Sequence, residues 1–573
     1  MSNRVLDCII IGYNDVDVQL TAENVESAKN VSGAYKEITY NTVLVRGKRL
    51  NYMNLLNTTL REAVNKDYRL HVMELPNLAV SYLNSFLIKR GLDVEFINFY
   101  NEEKERLLEL LRQRPRAVAI TTTFYVEPSP IIEIVRFVQQ HSPETIVIVG
   151  GPYVFNVCSE QDYETQTYIF KSIGANIYIY DSQGEATLAK LLQELRKGDD
   201  RNLSSITNLI YHKKLDEPSS IQPPATRARR NLNVVKTGSL IRTQKEVEEN
   251  ILDENIIDWA KFSKDYYTPT VQMRTARSCA FKCAFCSYPV MAGPLTLTSL
   301  EMVEKEMRQL QEDGARYLVF IDDTFNVPLP RFKKLLKMMI KNSFDFNWVS
   351  YFRCSNSDDE AIDLMAESNC KGVFLGIESG DNDMLVKMNK HAAVEKYEYG
   401  IKRLNERGVI TFASLIVGFP GETPETVRNT MDFIERAQPT FYRAEMYYHR
   451  TNLPIHQQAD TYGLRGGGYS WSHNTMTWQE ACDQIEMMYR NIKGSTVLPE
   501  SMFDFWSIPY LLGKGISKEH IIEFMKRAQK LLFTSLYGVS MDDQDEDQRS
   551  YQDLVALSKE ISHDLDACSR PAL

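Results

Sequence analysis

The sequence predicts an α/β protein in three parts: a doubly wound parallel sheet, a partial β/α barrel and a mostly helical C-terminal cap. Three observations carry this expectation. Apolar strands alternate with amphipathic helices from about residue 70 to 200, and a second alternation of the same kind runs from about 300 to 425. Between them, Cys279, Cys283 and Cys286 fall within eight residues. Strand–helix alternation with short polar turns is the pattern of parallel sheets. The 573 residues divide into an N-terminal region (1–70), a sheet domain (71–215), a linker (216–265), a barrel (266–450) and a C-terminal region (451–573).

In the first alternation VEFINFY (94–100), AVAITTTF (117–124), TIVIVGG (145–151) and IYIYD (177–181) read as strands. EEKERLLELLRQ (102–113), PIIEIVRFVQQH (130–141) and GEATLAKLLQELRKG (184–198) read as helices. Ligands of such sheets bind beyond the carboxyl ends of the strands. That rule gathers Thr121, Thr122, Thr123, Gly150, Gly151, Gly184 and Glu185 around one crevice. Residues 1–70 precede the alternation and receive no element. The linker holds paired prolines and a basic cluster, RARR (227–230), read as an exposed segment, and MDDQDEDQRS (541–550) reads as a solvated charge run.

The second alternation places polar residues where strands end: YLVFIDDTF (317–325), NWVSYFRCSN (347–356), GVFLGIESG (372–380) and ITFASLIVGFPGET (410–423). The carboxyl ends of the strands are the functional face of a β/α barrel. Asp322 and Asp323 are neighbours on one strand and so face opposite ways, one to the barrel and one to the loop. Cys354 follows a strand, which puts it at the functional face, whereas Cys370 precedes one and belongs to the opposite end.

Composition is that of an ordinary globular protein, 43% apolar and 25% charged, and a net charge of −10 weighs against a nucleic-acid surface. No run of about 20 apolar residues occurs, and the N-terminal apolar stretch is too short for a signal peptide, so the expected location is the cytoplasm with no membrane partner. Nine cysteines, odd in number and mostly scattered, do not make a disulfide framework. The C-x3-C-x2-C spacing lacks a nearby fourth ligand, unlike a structural zinc site. Three thiolates with one vacant position suit a four-iron cluster that leaves one iron open.

Residues 270 to about 425 resemble the radical S-adenosylmethionine (AdoMet) superfamily through the cysteine motif, Phe285, FIDDTF, GIESG and IVGFPGET, in that order. The resemblance implies that Cys279, Cys283 and Cys286 hold three irons of a [4Fe–4S] cluster, that AdoMet completes the fourth, and that its cleavage yields a 5′-deoxyadenosyl radical. It also implies AdoMet contacts for Phe285, Asp322, Arg353, Glu378 and the backbone near Ile416 and Gly418. The sheet domain, in the order strand, GGP and late GE, resembles the cobalamin-binding domain that precedes many such barrels. The motif Asp-x-His-x-x-Gly is absent, so cobalamin, if bound, has no protein histidine beneath it.

The whole order, including YYHRTNLPIHQQADTYGLRGGGYSWSHNTMTW, resembles a group that holds phosphinate P-methyltransferases and proteusin peptide epimerases. Tyr447, Tyr448, His449, His456, the glycines 466–468, Trp471 and His473 read as a lid over the barrel mouth or as a structural cap. The first functional expectation is a peptide epimerase acting on a leader-bearing precursor, with electrons from a flavodoxin or ferredoxin. It abstracts the Cα hydrogen and returns one from a thiol, for which Cys354 is the candidate. The alternative is a cobalamin-dependent C- or P-methyltransferase, and a third reading is a non-catalytic iron–sulfur or cobalamin sensor.

Overall fold

A computed structural model describes residues 5–15, 17–216, 239–499, 506–537 and 544–568. The basic cluster at 227–230 and the start of the acidic run, 541–543, lie outside the described residues. The chain forms two compact units. Unit 1 comprises residues 1–16, 76–263 and 290–293; unit 2 comprises 17–75, 264–289 and 294–573.

The sheet of unit 1 contains β1 (Cys8–Tyr13), β2 (Val94–Phe99), β3 (Ala117–Thr121), β4 (Ile146–Gly150), β5 (Ile177–Ile179), β6 (Leu209–His212) and β7 (Leu240–Arg242), in the spatial order β2-β1-β3-β4-β5-β6-β7. The first five are mutually parallel and the last two antiparallel. Strands covered on both faces must be apolar throughout, which is why CIIIGY, AVAIT and IVIVG read as near-continuous runs. Ile9, Ile11, Val118, Ile120, Val147 and Val149 share one core with Leu107, Leu111, Ile131, Ile134 and Val138 of helices Lys104–Arg112 and Ser129–His141. At the amino end Asp7 accepts from the Asp93 N–H (2.8 Å) and from Arg196 Nη2 (2.5 Å), tying the starts of β1 and β2 to the end of helix Glu185–Leu195. Burial alone would raise the Asp7 carboxyl, but these bonds hold it below its ordinary value.

β1 lies in the stretch to which sequence reading assigned no element. It is the interior strand on which the sheet turns: Cys8 pairs with Val94 on one side and Ala117 on the other. Strand order therefore reverses between β1 and β3, a topological switch point at their carboxyl ends.

Unit 2 is built on β8 (Thr270–Met273), β9 (Tyr317–Phe320), β10 (Asn347–Phe352), β11 (Cys370–Glu378), β12 (Ile410–Val417), β13 (Phe441–Met446) and β14 (Thr496–Val497), all parallel and in sequence order. Among the described residues no ladder joins β8 to β14, so the barrel is open. One face of the strands (Val271, Phe320, Trp348, Phe352, Leu375, Ala413) is buried under helices; Phe352 and Phe325 both meet Phe332 of helix Leu329–Lys341. The opposite, open face carries Gln272, Tyr351, Phe374, Phe412, Ser414, Ile416, Arg443 and Glu445. The intervening helices start at side-chain caps: Ser299, Asp358 and Asp381 each accept from a first-turn N–H, and Thr423 forms a capping box with Thr426.

Residues 17–75 belong to unit 2, not to a separate N-terminal region. Helices Val18–Glu26, Ala34–Tyr40 and Tyr52–Val64 and the hairpin Val43–Val45/Lys48–Leu50 join the C-terminal helices Lys518–Tyr537 and Gln544–Cys568. Ser558 Oγ donates to Thr59 Oγ1 (2.7 Å), and the Leu44 N–H to Ser535 Oγ (2.9 Å). Among the described residues no helix is long and apolar enough to cross a membrane.

Because β1 is an interior strand, a fragment of residues 71–263 is expected to show no cooperative thermal transition by circular dichroism. Joining residues 5–15 to 76–263 through a glycine–serine linker should restore one; a cooperative transition in the shorter fragment would show that β1 is dispensable.

Candidate active site

The two aspartates at the end of β9 divide as the period of a strand requires. Asp322 points under the sheet, where Oδ1 accepts from the N–H groups of Thr275 (2.6 Å) and Ala276 (3.0 Å) and Oδ2 from the Thr275 hydroxyl (2.5 Å). Both its oxygens are taken and only 2% of its surface is accessible, so the AdoMet contact expected of Asp322 is replaced by a structural clamp. Asp323 is reachable by solvent but sits in a recess crowded by protein beside Tyr288 and Asp322. That burial, and then the neighbouring Asp322 charge, push its carboxyl up to about 7.

The clamp fixes the segment that leads into the cysteines. Ala276–Arg277 pairs with Thr296–Leu297, and Ser278 turns with φ +71°. The loop is then held on its far side: the Ala284 N–H donates to Met388 O (2.8 Å), the Ile455 N–H to Ala284 O (3.0 Å) and Asn389 Nδ2 to Lys282 O (2.6 Å). Each thiol has different surroundings. Cys279 Sγ lies 3.3 Å from Thr324 Oγ1, Cys283 lies near Arg353 and Lys390, and Cys286 lies near Asp323. Burial raises the Cys286 thiol to about 11 and raises Cys283 against the lowering charges of Lys390 and Arg353. Among the described residues no three His, Cys, Asp or Glu side chains gather around one point as they do for a single ion. Two cations, Lys390 and Arg353, lie beside Cys283, which suits ligands that must ionise. The three cysteines fit a four-iron cluster.

Arg353 and Cys354 also divide. Asn326, fully buried, accepts from the Arg353 N–H (3.0 Å) and donates Nδ2 to Arg353 O (3.0 Å), fixing the end of β10. The Arg353 guanidinium lies 3.7 Å from the centre of the Phe281 ring in the cysteine loop, and its buried Nη2 has no hydrogen-bond partner. Cys354 turns the other way. A Cβ at Gly400, in helix Val394–Glu406, would come within 2.9 Å of its Sγ, and burial pushes the thiol up to about 12. The thiol is packing for that helix, which removes the placement at the reactive face that the donor role required.

Glu378 stands at a register shift in β11 with φ +65° and pairs with Lys390 Nζ at 2.8 Å, both nearly buried. The same ammonium lies 5.3 Å from the centre of the Phe285 ring, so Phe285, Lys390 and Glu378 form one chain beside the cysteine loop. Ile416 lies half-buried on the open face. Next to it Ser414 Oγ donates to Glu445 Oε1 (3.1 Å), which also takes the Arg443 guanidinium.

Gly418 does not offer its backbone as expected. Its N–H donates to Glu422 Oε2 (2.5 Å) and its carbonyl accepts from His473 Nε2 (3.1 Å), while a Cβ there would lie 2.3 Å from the Trp471 ring. Trp471 Nε1 donates to Tyr447 O (2.6 Å), and the Tyr447 hydroxyl meets His449 Nδ1 (3.1 Å), whose ring faces His456 at 5.3 Å. His449 and Gly468 exchange backbone bonds. Most of the expected lid is thus buried structure that braces the end of β12; Tyr448 and the glycine strand 465–467 are its exposed parts.

In unit 1 the Thr121 hydroxyl donates to Ile11 O (3.2 Å) and that of Thr122 to Gly150 O (2.9 Å), while Thr122 also accepts from the Tyr153 N–H (3.1 Å). These side chains brace the strand ends, and Thr123 is left exposed. Gly151 has φ +107° with a Cβ position 3.0 Å from Thr122 Oγ1, and a Cβ at Gly184 would meet Ile179 Cγ2 at 2.5 Å. Glu185 is held by Asn250 Nδ2 (2.8 Å), and the first amides of its helix, Ala186 and Thr187, donate to Glu248 at 2.8 and 2.7 Å. The two histidines of unit 1 lie at the opposite end of the sheet: His141 ends a helix that begins after β3, and His212 donates its N–H to Asn176 O just before β5. Neither can stand beneath a ligand in the crevice.

Residues 273–434 match the family model for the Radical SAM superfamily. They are a radical SAM domain. Beyond it, the chain is similar to an uncharacterised methyltransferase, PH0819, of Pyrococcus horikoshii, at 24% identity over 476 residues, which is 81% of this chain and 94% of the relative. A ribosomal protein uS12 methylthiotransferase, RimO, of Desulforamulus reducens is 29% identical over 31% of this chain and 42% of its own length. Among solved structures, the radical S-adenosylmethionine methyltransferase TsrM from Kitasatospora setae, with cobalamin and a [4Fe-4S] cluster bound, aligns over 85% of this chain and 97% of its own with a TM-score of 0.55 and 17% identity. The cobalamin-dependent S-adenosylmethionine radical enzyme OxsB with aqua-cobalamin aligns over 90% and 87% with a TM-score of 0.53 and 14% identity. At these identities the structural likeness is one of fold, and it covers both sheets.

Three variants probe the frame of the radical SAM domain. Asp322→Ala should cost about 3 kcal/mol for three lost buried hydrogen bonds and lower iron incorporation, whereas Asp323→Ala should leave thermal stability nearly unchanged. Glu422, its carboxyl raised by burial from 4.5 to about 8, holds a proton in the folded protein that the unfolded chain releases above 4.5. Wild-type stability should therefore fall between those values as pH rises, by about 1.4 kcal/mol per unit. Glu422→Gln keeps the acceptor for Gly418 and should flatten that slope in thermal unfolding at pH 5.5 and 8.

Proposed function

We propose that this protein is a cobalamin-dependent radical SAM methyltransferase. The observation that carries this reading is where the thiols stand. An epimerase that returns hydrogen from a thiol needs a cysteine at the strand ends of the open face. Cys354 is packed against Gly400, Cys370 begins β11, Cys482 Sγ lies 3.8 Å from Met446 Sδ under the sheet, and Cys568 is in the last helix. Outside the C-x3-C-x2-C motif, no cysteine of unit 2 occupies the place a donor requires. The sheet of unit 1, the fold shared with TsrM and OxsB, and the methyltransferase name of the P. horikoshii relative all favour the methyltransferase over the epimerase put first by the sequence.

In this reading Cys279, Cys283 and Cys286 would each hold one iron, and the unpartnered Arg353 Nη2 would receive the AdoMet carboxylate. The ring of Phe285, steadied by Lys390, would pack beside the adenosyl group. The crevice of unit 1 would hold cobalamin with no histidine of that unit beneath the metal. When bound, the cluster with AdoMet supplies a 5′-deoxyadenosyl radical and cobalamin supplies the methyl group. A low-potential donor such as a flavodoxin or ferredoxin would reduce the cluster. Ser414, Arg443 and Glu445 give the open face a polar surface on which to orient the methyl acceptor.

The test needs no known substrate. Protein reconstituted anaerobically with iron, sulfide and hydroxocobalamin, then reduced with titanium citrate, should convert AdoMet to S-adenosylhomocysteine only when cobalamin is retained. Failure to retain cobalamin, together with deuterium entering Cα of a peptide in heavy water, would return the assignment to an epimerase. Replacing Cys279, Cys283 and Cys286 together with alanine should abolish iron binding and AdoMet cleavage, while Cys354→Ala should keep both.

A further inference from the structure

The open face of unit 2 carries one carboxylate whose bonding is half used. Glu445, on β13, accepts on Oε1 from the Ser414 hydroxyl (3.1 Å), from Arg443 Nε (2.7 Å) and from Arg443 Nη2. Its Oε2 receives no donor among the described residues, and 31% of the side chain is accessible. The guanidinium beside it is only 8% exposed and lies 5.8 Å from the centre of the Phe412 ring. The pair therefore turns its anion outward and keeps its cation covered. Donors converging on one oxygen fix the orientation of the carboxylate and leave the other oxygen as an acceptor.

Strand register places this acceptor near the Glu378–Lys390 pair. Gly376, Ser414 and Arg443 stand level on β11, β12 and β13, and Glu445 follows two residues on, level with Ile416. A Cβ at Gly376 would lie 2.7 Å from Glu378 Oε1 and 3.1 Å from Lys390 Nζ, so the glycine lets that pair lie over β11. Two strand spacings, about 10 Å, separate β11 from β13, which is the span of a small molecule. One row nearer the amino ends, Tyr351, Phe374 and Phe412 run level across β10, β11 and β12, with ring centres 5.0 and 4.8 Å apart. Tyr351 and Phe374 are half-buried, and Phe412 is buried. The open face thus combines an aromatic shelf with one accessible carboxylate oxygen. Carboxylates form their strongest hydrogen bonds with charged donors, and aromatic rings accept a flat apolar body.

We infer that the methyl acceptor carries an amino group beside an aromatic or similarly flat apolar body. Its ammonium N–H donates to Glu445 Oε2, and its apolar body lies on Tyr351 and Phe374. A carboxylate or phosphate in that place would face the Glu445 anion, while Arg443 is already engaged on Oε1 through both Nε and Nη2. The inference rests on the proposed methyltransferase reading and names the substrate class of its open face. Ser414 and Arg443 are positioning residues, since they act by holding Glu445.

The experiment is equilibrium dialysis of two probes, phenethylamine and phenylpropionate, which share a ring and chain and differ in terminal charge. The protein is the full chain reconstituted with iron, sulfide, cobalamin and AdoMet. Wild type should bind phenethylamine at least about tenfold more tightly than phenylpropionate, the worth of one charge-assisted hydrogen bond. Glu445→Gln keeps an oxygen for Ser414 and Arg443 and should remove that preference, which a purely structural network would leave unchanged. Iron content and thermal unfolding report whether the variant folds. If it does not, Glu445→Asp keeps the charge, withdraws the carboxylate by one methylene and should weaken phenethylamine binding about tenfold. Equal binding of the probes by wild type, binding of neither, or an amine preference that survives substitution of Glu445 would overturn the inference. Phenethylamine held through Glu445 by a protein that forms no S-adenosylhomocysteine would instead overturn the methyltransferase reading and leave the amine site standing.

Discussion

One buried carboxylate sets the position of much of unit 2. Asp322 draws two backbone amides and a hydroxyl of Thr275 and Ala276 onto its oxygens, and that segment begins the cysteine loop. A buried acid accepts this position only because three donors converge on it. The loop is then clasped on its far side by Met388 and Ile455, so its path is fixed at both ends by bonds from three different strand-end connections. The thiols therefore have defined surroundings before any metal arrives, and the cations Arg353 and Lys390 already flank them.

The same alternation that sends Asp322 under the sheet and Asp323 to the recess also separates Arg353 from Cys354. That second division was legible in the sequence, since adjacent strand residues face opposite ways. Weighing only the position of Cys354 after a strand, without its parity with Trp348 and Phe352, produced the donor assignment that the structure removes. Lys390 and Asn326 were not legible. Each acts across a gap in sequence, Lys390 on Glu378 and Phe285 and Asn326 on Arg353, through loops whose course no local pattern encodes. The β-α order from β9 to β12 was readable, because each strand and helix there shows its own period, whereas β8, β13 and β14 received no strand in the sequence reading.

Unit 1 shows a different failure of local reading. CIIIGY is an apolar, β-branched run of the kind that marks a buried strand. It was passed over because three helices and a hairpin intervene before the alternation resumes, and those elements belong to unit 2. Pairing Cys8 with Val94 closes a long loop, and such pairings carry an entropic cost that short strand–helix units avoid. The interior of this sheet is thus assembled from segments that sequence proximity does not associate.

Glu248 gives unit 1 a chemical bias. The first amides of helix Glu185–Leu195 would ordinarily welcome a phosphate, since a helix N-terminus presents unpaired N–H groups and positive potential. Here the Glu248 carboxylate already receives the Ala186 and Thr187 N–H groups. A phosphate approaching that helix meets a negative charge instead of free donors. The sheet keeps the topology of a nucleotide-binding fold, but the first amides of this helix are already paired within the chain and are not free to take the charged linkage of a dinucleotide.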